Sequence, residues 1–413
     1  MRSLTFGVRS SAKRALRSFF RKPASVPMRA VRLDLEKILL GGENDLSGTT
    51  YALLTAALMR PSTRCSDGPH ARLLKEYRKT GINILSPERL SKTEYYQNAR
   101  DCIDYFGDYF PGITSDHQVC LAAERFLRLA DNQSIDHLPS DGHSGEGELI
   151  RVRAIAESDC FQLMQGNHRV AFALDKGHTS IDALLILDRE EMTPIQQLLG
   201  QIAWEQGEKV IYQPLPCPEL ESRWQLARQC EDRMALMQAF LERQGLLVGG
   251  LSYLDLGSYF GWFVSKMNDL GFCAKGVERD YTAILIGAIA YGLNPANIKR
   301  MEIRRFLREE QKQYDVVSCL SIMHHFITGR ESDNPLELLH LLDKTTRKVL
   351  LFEMGGPHEQ WFHKTLNGWN DQFVKDWILR NSSFRQAHFL GKDSDSRDTF
   401  CGNFGRSLFA FIK

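Results

Sequence analysis

The stretch "YLDLGSYFGWFV", residues 253–264, constrains this chain more than any other. A short apolar run (Leu251, Tyr253, Leu254, Leu256) carries Asp255 near its end and meets Gly257, and a second glycine follows at Gly261. That order reads as a parallel strand, a tight turn and the start of a helix. Glycine directly after a strand lets the chain turn sharply and lets a ligand approach the backbone. Gly261 falls where the helix begins, so N–H groups there are expected to face the ligand. The next strand, "CAKGVERD", ends at Glu278, about 20 residues on, where a carboxylate can accept both ribose hydroxyls. Loop and acid together predict an adenosine-containing cofactor at the carboxyl ends of a parallel sheet.

From this loop to residue 413 strand-like and helix-like runs alternate, as in a mostly parallel sheet covered on both faces. Upstream, "YQPLPCPEL" holds three prolines, and a helix is expected from about Glu219 to Gln244. Before it, "LIRVRAI", "CFQLMQG", "NHRVAFALDKG" and "SIDALLILD" read strand, strand, helix, strand. Residues 36–60 and 69–130 show apolar spacing of three and four and read as mainly helical; "NQSIDHLPSDGHSGEGE" breaks the pattern as a loop. Three segments follow: a basic stretch over 1–35, a helical plus small α/β domain over 36–215, and an α/β domain over 216–413, cut near Pro214–Pro218.

A length of 413 residues allows two or three domains with cores of their own. A net charge of +1 argues for no nucleic-acid partner. No apolar run approaches the roughly 20 residues of a membrane-spanning helix. Nine scattered cysteines without a C-x-x-C pair suit a reducing, cytoplasmic setting and speak against a structural zinc site; no metal is expected. Charge is uneven only at the start, where Met1 to Arg32 hold nine basic residues and no acid. Leu16, Phe19 and Phe20 share a helical face there. Three readings stay open: a surface helix on anionic lipid, with peripheral membrane contact; a basic tail; or a transit peptide.

The loop spacing separates two cofactor classes. Dinucleotide sites use G-x-G-x-x-G because a pyrophosphate touches the backbone closely. Here the spacing is G-x-x-x-G with Tyr259 between, so a pyrophosphate lacks its second point of approach. A cofactor without phosphate tolerates the bulk, and Asp255 can orient loop amides or, through water, a cationic ammonium. An NAD-dependent oxidoreductase is disfavoured.

Residues 250–355 resemble a class I S-adenosylmethionine-dependent methyltransferase. "LDLGSYFGWF" resembles the first motif of that family, "GVERD" its second-strand acid, "YDVVSCLSIMHHF" its fourth strand and "RKVLLFEMG" its fifth. Tyr259 departs from the usual middle glycine. The resemblance implies an α/β, Rossmann-like, mostly parallel seven-stranded sheet and S-adenosyl-L-methionine as cofactor. It also implies that Asp255, Gly257, Ser258 and Gly261 surround the cofactor's amino-acid part, that Glu278 holds the ribose, that Glu302 lies near the adenine, and that Cys319 lies beneath the cofactor.

Methyl transfer to an oxygen needs alignment and a base titrating near neutrality. His324 and His325 follow the fourth strand and are the catalytic candidates, with a helix-capping role as the alternative for either. Glu353 and His358 could converge on the same pocket, although loop hydrogen bonding is the simpler reading; Trp361 and Phe362 could wall it or belong to the core. The chain end, "FLGKDSDSRDTFCGNFGRSLFAFIK", is similar to methyltransferase domains of bacterial surface-glycan synthesis, which implies a sugar hydroxyl or phosphate acceptor on a glycan or related metabolite. A cofactor-sensing protein without turnover is the rival of another class.

"CFQLMQGNHRVAFALDKGHTSIDALLIL" resembles the core of ParB-like and sulfiredoxin-like domains, carried by Gly166, Asn167, His168 and Arg169. A glycine turn at a helix start with His and Arg side chains could grip phosphate and make a second, nucleotide-dependent site, or serve as scaffold.

Overall fold

The computed structural model describes residues 26–41, 49, 51–52, 62–110, 112–132, 149–202, 204–205, 208–329, 334–360, 362–396 and 405–413. The basic residues before 26, the run at 133–148 and Trp361 lie outside them. The chain forms two compact units, Met1–Gln197 with Cys217–Arg223, and Leu198–Pro216 with Trp224–Lys413.

The first unit holds a five-stranded sheet. Its strands are β1 (Met28–Asp34), β2 (Ile38–Leu39), β3 (Ile150–Ile155), β4 (Phe161–Gln165) and β5 (Ser180–Glu191), in the order β1-β5-β3-β4-β2. Helices cover Pro69–Thr80, Glu94–Phe106, Asp116–Asn132 and Asn167–Asp175. In the first of these Pro69 starts the helix and His70, Leu73 and Leu74 turn one face inward, the period of a half-buried helix. Thr93 caps the second, its hydroxyl accepting from the Tyr96 N–H at 3.3 Å. Two expectations fail near the start. Residues 28–34 are not part of a basic tail but an edge strand paired antiparallel with β5, and 35–39 form a short 3-10 turn and β2 rather than a helix. The reason is pairing: Val31 and Leu33 alternate with polar neighbours, a period of two that a waiting sheet edge can use.

In the second unit β6 (Trp204–Glu205), β7 (Glu208–Ile211) and β8 (Gln225–Leu226) form a small sheet. The main sheet comprises β9 (Ser252–Leu256), β10 (Cys273–Glu278), β11 (Ile298–Arg300), β12 (Tyr314–Leu320), β13 (Thr346–Glu353), β14 (Gln386–Lys392) and β15 (Ser407–Ile412). Their order is β11-β10-β9-β12-β13-β15-β14, parallel throughout except for β15, which runs against both neighbours. This is the mostly parallel, seven-stranded, Rossmann-like α/β sheet expected from the sequence. Every residue of β12 is buried, as a strand covered on both faces requires. One face carries Leu254, Leu256, Val317 and Cys319; the other carries Tyr253, Val316 and Leu351 beneath helices Glu231–Arg243 and Trp262–Asp269. The helix expected over 219–244 begins only at Glu231. Residues 218–220 are a 3-10 turn instead, because Glu219 of the first unit is buried there against the Ser62 and Thr193 hydroxyls.

Strand order reverses between β9 and β12. At such a switch point the two connections leave in opposite directions and open a crevice at the carboxyl ends of the strands. Gly257, Glu278, Ser321 and Glu353 all stand at those ends.

Candidate cofactor and acceptor site

The loop after β9 is wound by left-handed residues: Gly257 at φ +70°, Tyr259 at +52° and Gly261 at +80°. Tyr259 therefore adopts the backbone conformation of a glycine, a strain on the order of 1 kcal/mol or more. Its ring leaves the turn and stacks on Phe260 at 4.0 Å. Tyr259 thus takes a backbone turn that a glycine would adopt without strain.

The loop amides are largely spent inside the protein. Gly257 and Ser258 both donate to the Val277 carbonyl (2.9 and 3.0 Å), Gly261 to that of Ser258 (2.8 Å). Trp262 donates to the Gln213 side chain at 3.4 Å. The expectation that N–H groups around Gly261 face a ligand is thus overturned at Gly261 and Trp262, because the turn and Gln213 take them. A pyrophosphate would find little to hold. The glycines serve packing as well: a Cβ at Gly257 would lie 2.4 Å from Ile322 Cδ1, and one at Gly261 2.8 Å from Ile298 and Leu293. Ser258 is fully buried and its Oγ has no hydrogen-bond partner among the described residues.

Glu278 closes the loop from β10. One carboxylate oxygen accepts the Tyr259 N–H and the other the Asp280 N–H, both at 2.9 Å. Each oxygen keeps a second lone pair, so the carboxylate can still receive a pair of vicinal hydroxyls. Asp255 is buried on β9 and takes its hydrogen bond from Ser318 Oγ at 2.6 Å, not from loop amides. Burial pushes its carboxyl up to about 7, against the pull of that hydrogen bond. A nearby cation would favour its ionised form. Two further residues named from the sequence are held as follows. Cys319 points into the core on the face opposite Asp255, fully buried, because neighbours on a strand alternate. Both oxygens of Glu302 cap helix Ile303–Glu309 through the Arg304 and Arg305 amides at 2.9 Å.

His324 and His325 sit on the short helix Met323–Ile327 after β12, ring centroids 4.3 Å apart. His324 is buried, and its Nδ1 accepts the Gly355 N–H at 3.1 Å. His325 is half-buried. Glu353 does not converge with His358, which is exposed. It lies fully buried among arginines: Arg228 and Arg233 each reach Oε2 at 3.0 Å, and Arg406 approaches Oε1 at 3.6 Å. Burial alone would raise its carboxyl; the guanidinium groups outweigh that and hold it well below the usual carboxylate range. Arg228 also pairs with Asp393 and Arg406 with Glu359, so three cations meet three carboxylates out of water. Phe362 is core, with its ring 4.6 Å from that of His324.

Next to these loops is a cavity of about 320 Å³, lined by Gly355, Gly356, His358, Trp369, Asn370 and Lys392 among others. Sequence reasoning missed Gln213, Arg228, Arg233 and Arg406. Arg228 and Arg233 lie in the stretch read as one long helix, where a charge looks like a solvated face; the signal was available only at Gln213, among the prolines. In the first unit Gly166 turns at φ +112° to start its helix. His168 stacks on Phe126 at 4.6 Å and Arg169 is buried.

No protein-family model and no curated protein matches the chain. Among solved structures, the bifunctional kinase-methyltransferase WbdD matches at 19% identity and a TM-score of 0.41, over 52% of this chain and 45% of that one. The magnesium protoporphyrin IX methyltransferase of Synechocystis PCC 6803 with bound SAM matches at 17% and 0.32, over 44% and 80%. A SAM-dependent methyltransferase from Archaeoglobus fulgidus matches at 16% and 0.33, over 43% and 94%. The chain thus spans less than half the length of WbdD.

Proposed function

We propose that the second unit is an S-adenosylmethionine-dependent methyltransferase acting on an oxygen. The observation that carries this is the loop after β9, wound by left-handed residues and bonded through Tyr259 N–H to the Glu278 carboxylate at the next strand's tip. Those residues suit an adenosine without a pyrophosphate: a carboxylate for the ribose, a buried Asp255 for a cation, and few free amides for phosphate. S-adenosylmethionine, when bound, supplies an electrophilic methyl group. The chain's own part is to hold the ribose with Glu278, exclude water, and accept the acceptor's proton at a histidine of the β12 loop.

The acceptor we propose is a sugar hydroxyl or phosphate of a glycan or related metabolite. Support comes from the resemblance of the chain end and from the cavity, where Trp369 offers an apolar ring beside Asn370 and Lys392. A ParB-like first unit, a cytoplasmic location and membrane contact through the basic stretch belong to the same proposal; the packing of His168 and Arg169 favours a scaffold over a nucleotide site there.

Calorimetric titration with S-adenosylmethionine and S-adenosylhomocysteine tests the reading, with Glu278→Ala beside the wild type. Removing a charged acceptor of ribose hydroxyls should weaken binding by about 2 kcal/mol, roughly 30-fold. A folded wild-type protein that binds neither compound would sink the proposal.

A further inference from the structure

The two histidines of the β12 loop are chemically unequal, and the cause lies in a buried arginine far along the chain. Gly355 N–H donates to His324 Nδ1 at 3.1 Å. In a neutral imidazole that accepts at Nδ1 the proton sits on Nε2, so the outer nitrogen is a donor and has no lone pair for a substrate proton. The hydrogen bond survives only if the loop after β13 stays where it is. Its next amide, Gly356 N–H, donates to Glu359 Oε1 at 2.9 Å. Arg406 grips Glu359 with a two-pronged fork, Nε to Oε1 at 2.9 Å and Nη2 to Oε2 at 2.7 Å. Its third nitrogen, Nη1, donates to Ser321 Oγ at 2.7 Å, at the foot of the loop that carries His324. The guanidinium also lies over the Phe362 ring, 5.9 Å from the centroid, and that ring packs on His324.

One side chain thus ties down both partners of the His324–Gly355 bond. We infer that Arg406, acting through Glu359 and Ser321, is a positioning residue that locks His324 as an Nε2–H donor and leaves the proton-accepting role to His325. The inference about roles rests on the methyl-transfer reading; the lock itself does not.

Nitrogen-15 imidazole spectra of the full chain at neutral pH test it, with His324→Gln and His325→Gln supplying assignments. Wild-type His324 should show a protonated Nε2 and an unprotonated Nδ1 as two well-separated shifts. In Arg406→Gln the two should move together toward the average of exchanging tautomers, and Arg406→Lys should not restore them, since one ammonium cannot make the fork. Glu359→Gln keeps an oxygen for Gly356 but loses the charged grip, and should give partial averaging; it decides the matter if the arginine variant does not fold. A wild-type His324 carrying its proton on Nδ1 would overturn the proposal. So would unchanged His324 shifts in the folded variants. S-adenosylmethionine titration of the same wild-type sample separates the two ideas: absent binding removes the methyl-transfer reading, while the tautomer result judges the lock alone.

Discussion

At Asp255 a single carboxyl couples stability to pH. Its folded value of about 7 stands above the ordinary 3.8, so the native state holds a proton that the unfolded chain gives up. Stability from this group is complete below about pH 4 and is lost as pH rises toward 7 and beyond, by up to about 4 kcal/mol if the whole shift is realised. Asp255→Asn should remove that slope while leaving an oxygen for Ser318 Oγ. Urea denaturation at pH 5 and pH 8 checks it: the variant should gain on the wild type between the two, on the order of a few kcal/mol, and a constant difference would contradict the assignment. Glu353 is the opposite case, a carboxyl held low by arginines, which loses its stabilising contribution as pH falls. The same two residue types thus carry opposite pH responses, set by whether burial comes with a cation.

At the scale of elements, the loop after β9 depends on helix Tyr281–Tyr291 coming very close to it. A Cβ on Gly287 would fall 1.9 Å from the Phe260 carbonyl oxygen, a contact with backbone that no side-chain rotation relieves. Gly287→Ala should therefore cost about 3 kcal/mol or more and push the loop off Glu278. Denaturant unfolding together with S-adenosylhomocysteine titration reads both effects; a variant as stable as the wild type would show that the helix can retreat freely. The alternation of strand and helix after residue 250 was readable, because each parallel strand is a short apolar run closed by a polar tip. The start of helix Glu231–Arg243 was not. "ESRWQLARQCEDRMALMQ" has a passable helical period throughout, and the contacts of residues 225–228 with β7, Glu353 and Asp393 decide where the helix begins.

For the whole molecule, the chain passes from the first unit to the second, returns for Cys217–Arg223, and crosses again at Trp224. The cut expected near Pro214–Pro218 therefore runs beside a segment that serves the site. Gln213 donates to the Ser258 carbonyl at 3.2 Å and accepts from Trp262 N–H, clamping the loop from outside its own strand–turn–helix. Gln213→Ala should weaken cofactor binding several-fold, about 1 kcal/mol, with little change in the unfolding midpoint; equal affinities would show that the loop holds itself. By itself the sequence determined the parallel sheet, the turn at Gly257 and the acid at Glu278, since these follow from local period and backbone conformation within about 25 residues. Tertiary structure alone decided which polar groups are buried together. Arg228, Arg233, Glu353, Glu359 and Arg406 are separated by up to 178 positions and read as ordinary surface charge; folding brings them to one sheet end, where loss of water makes their pairing obligatory.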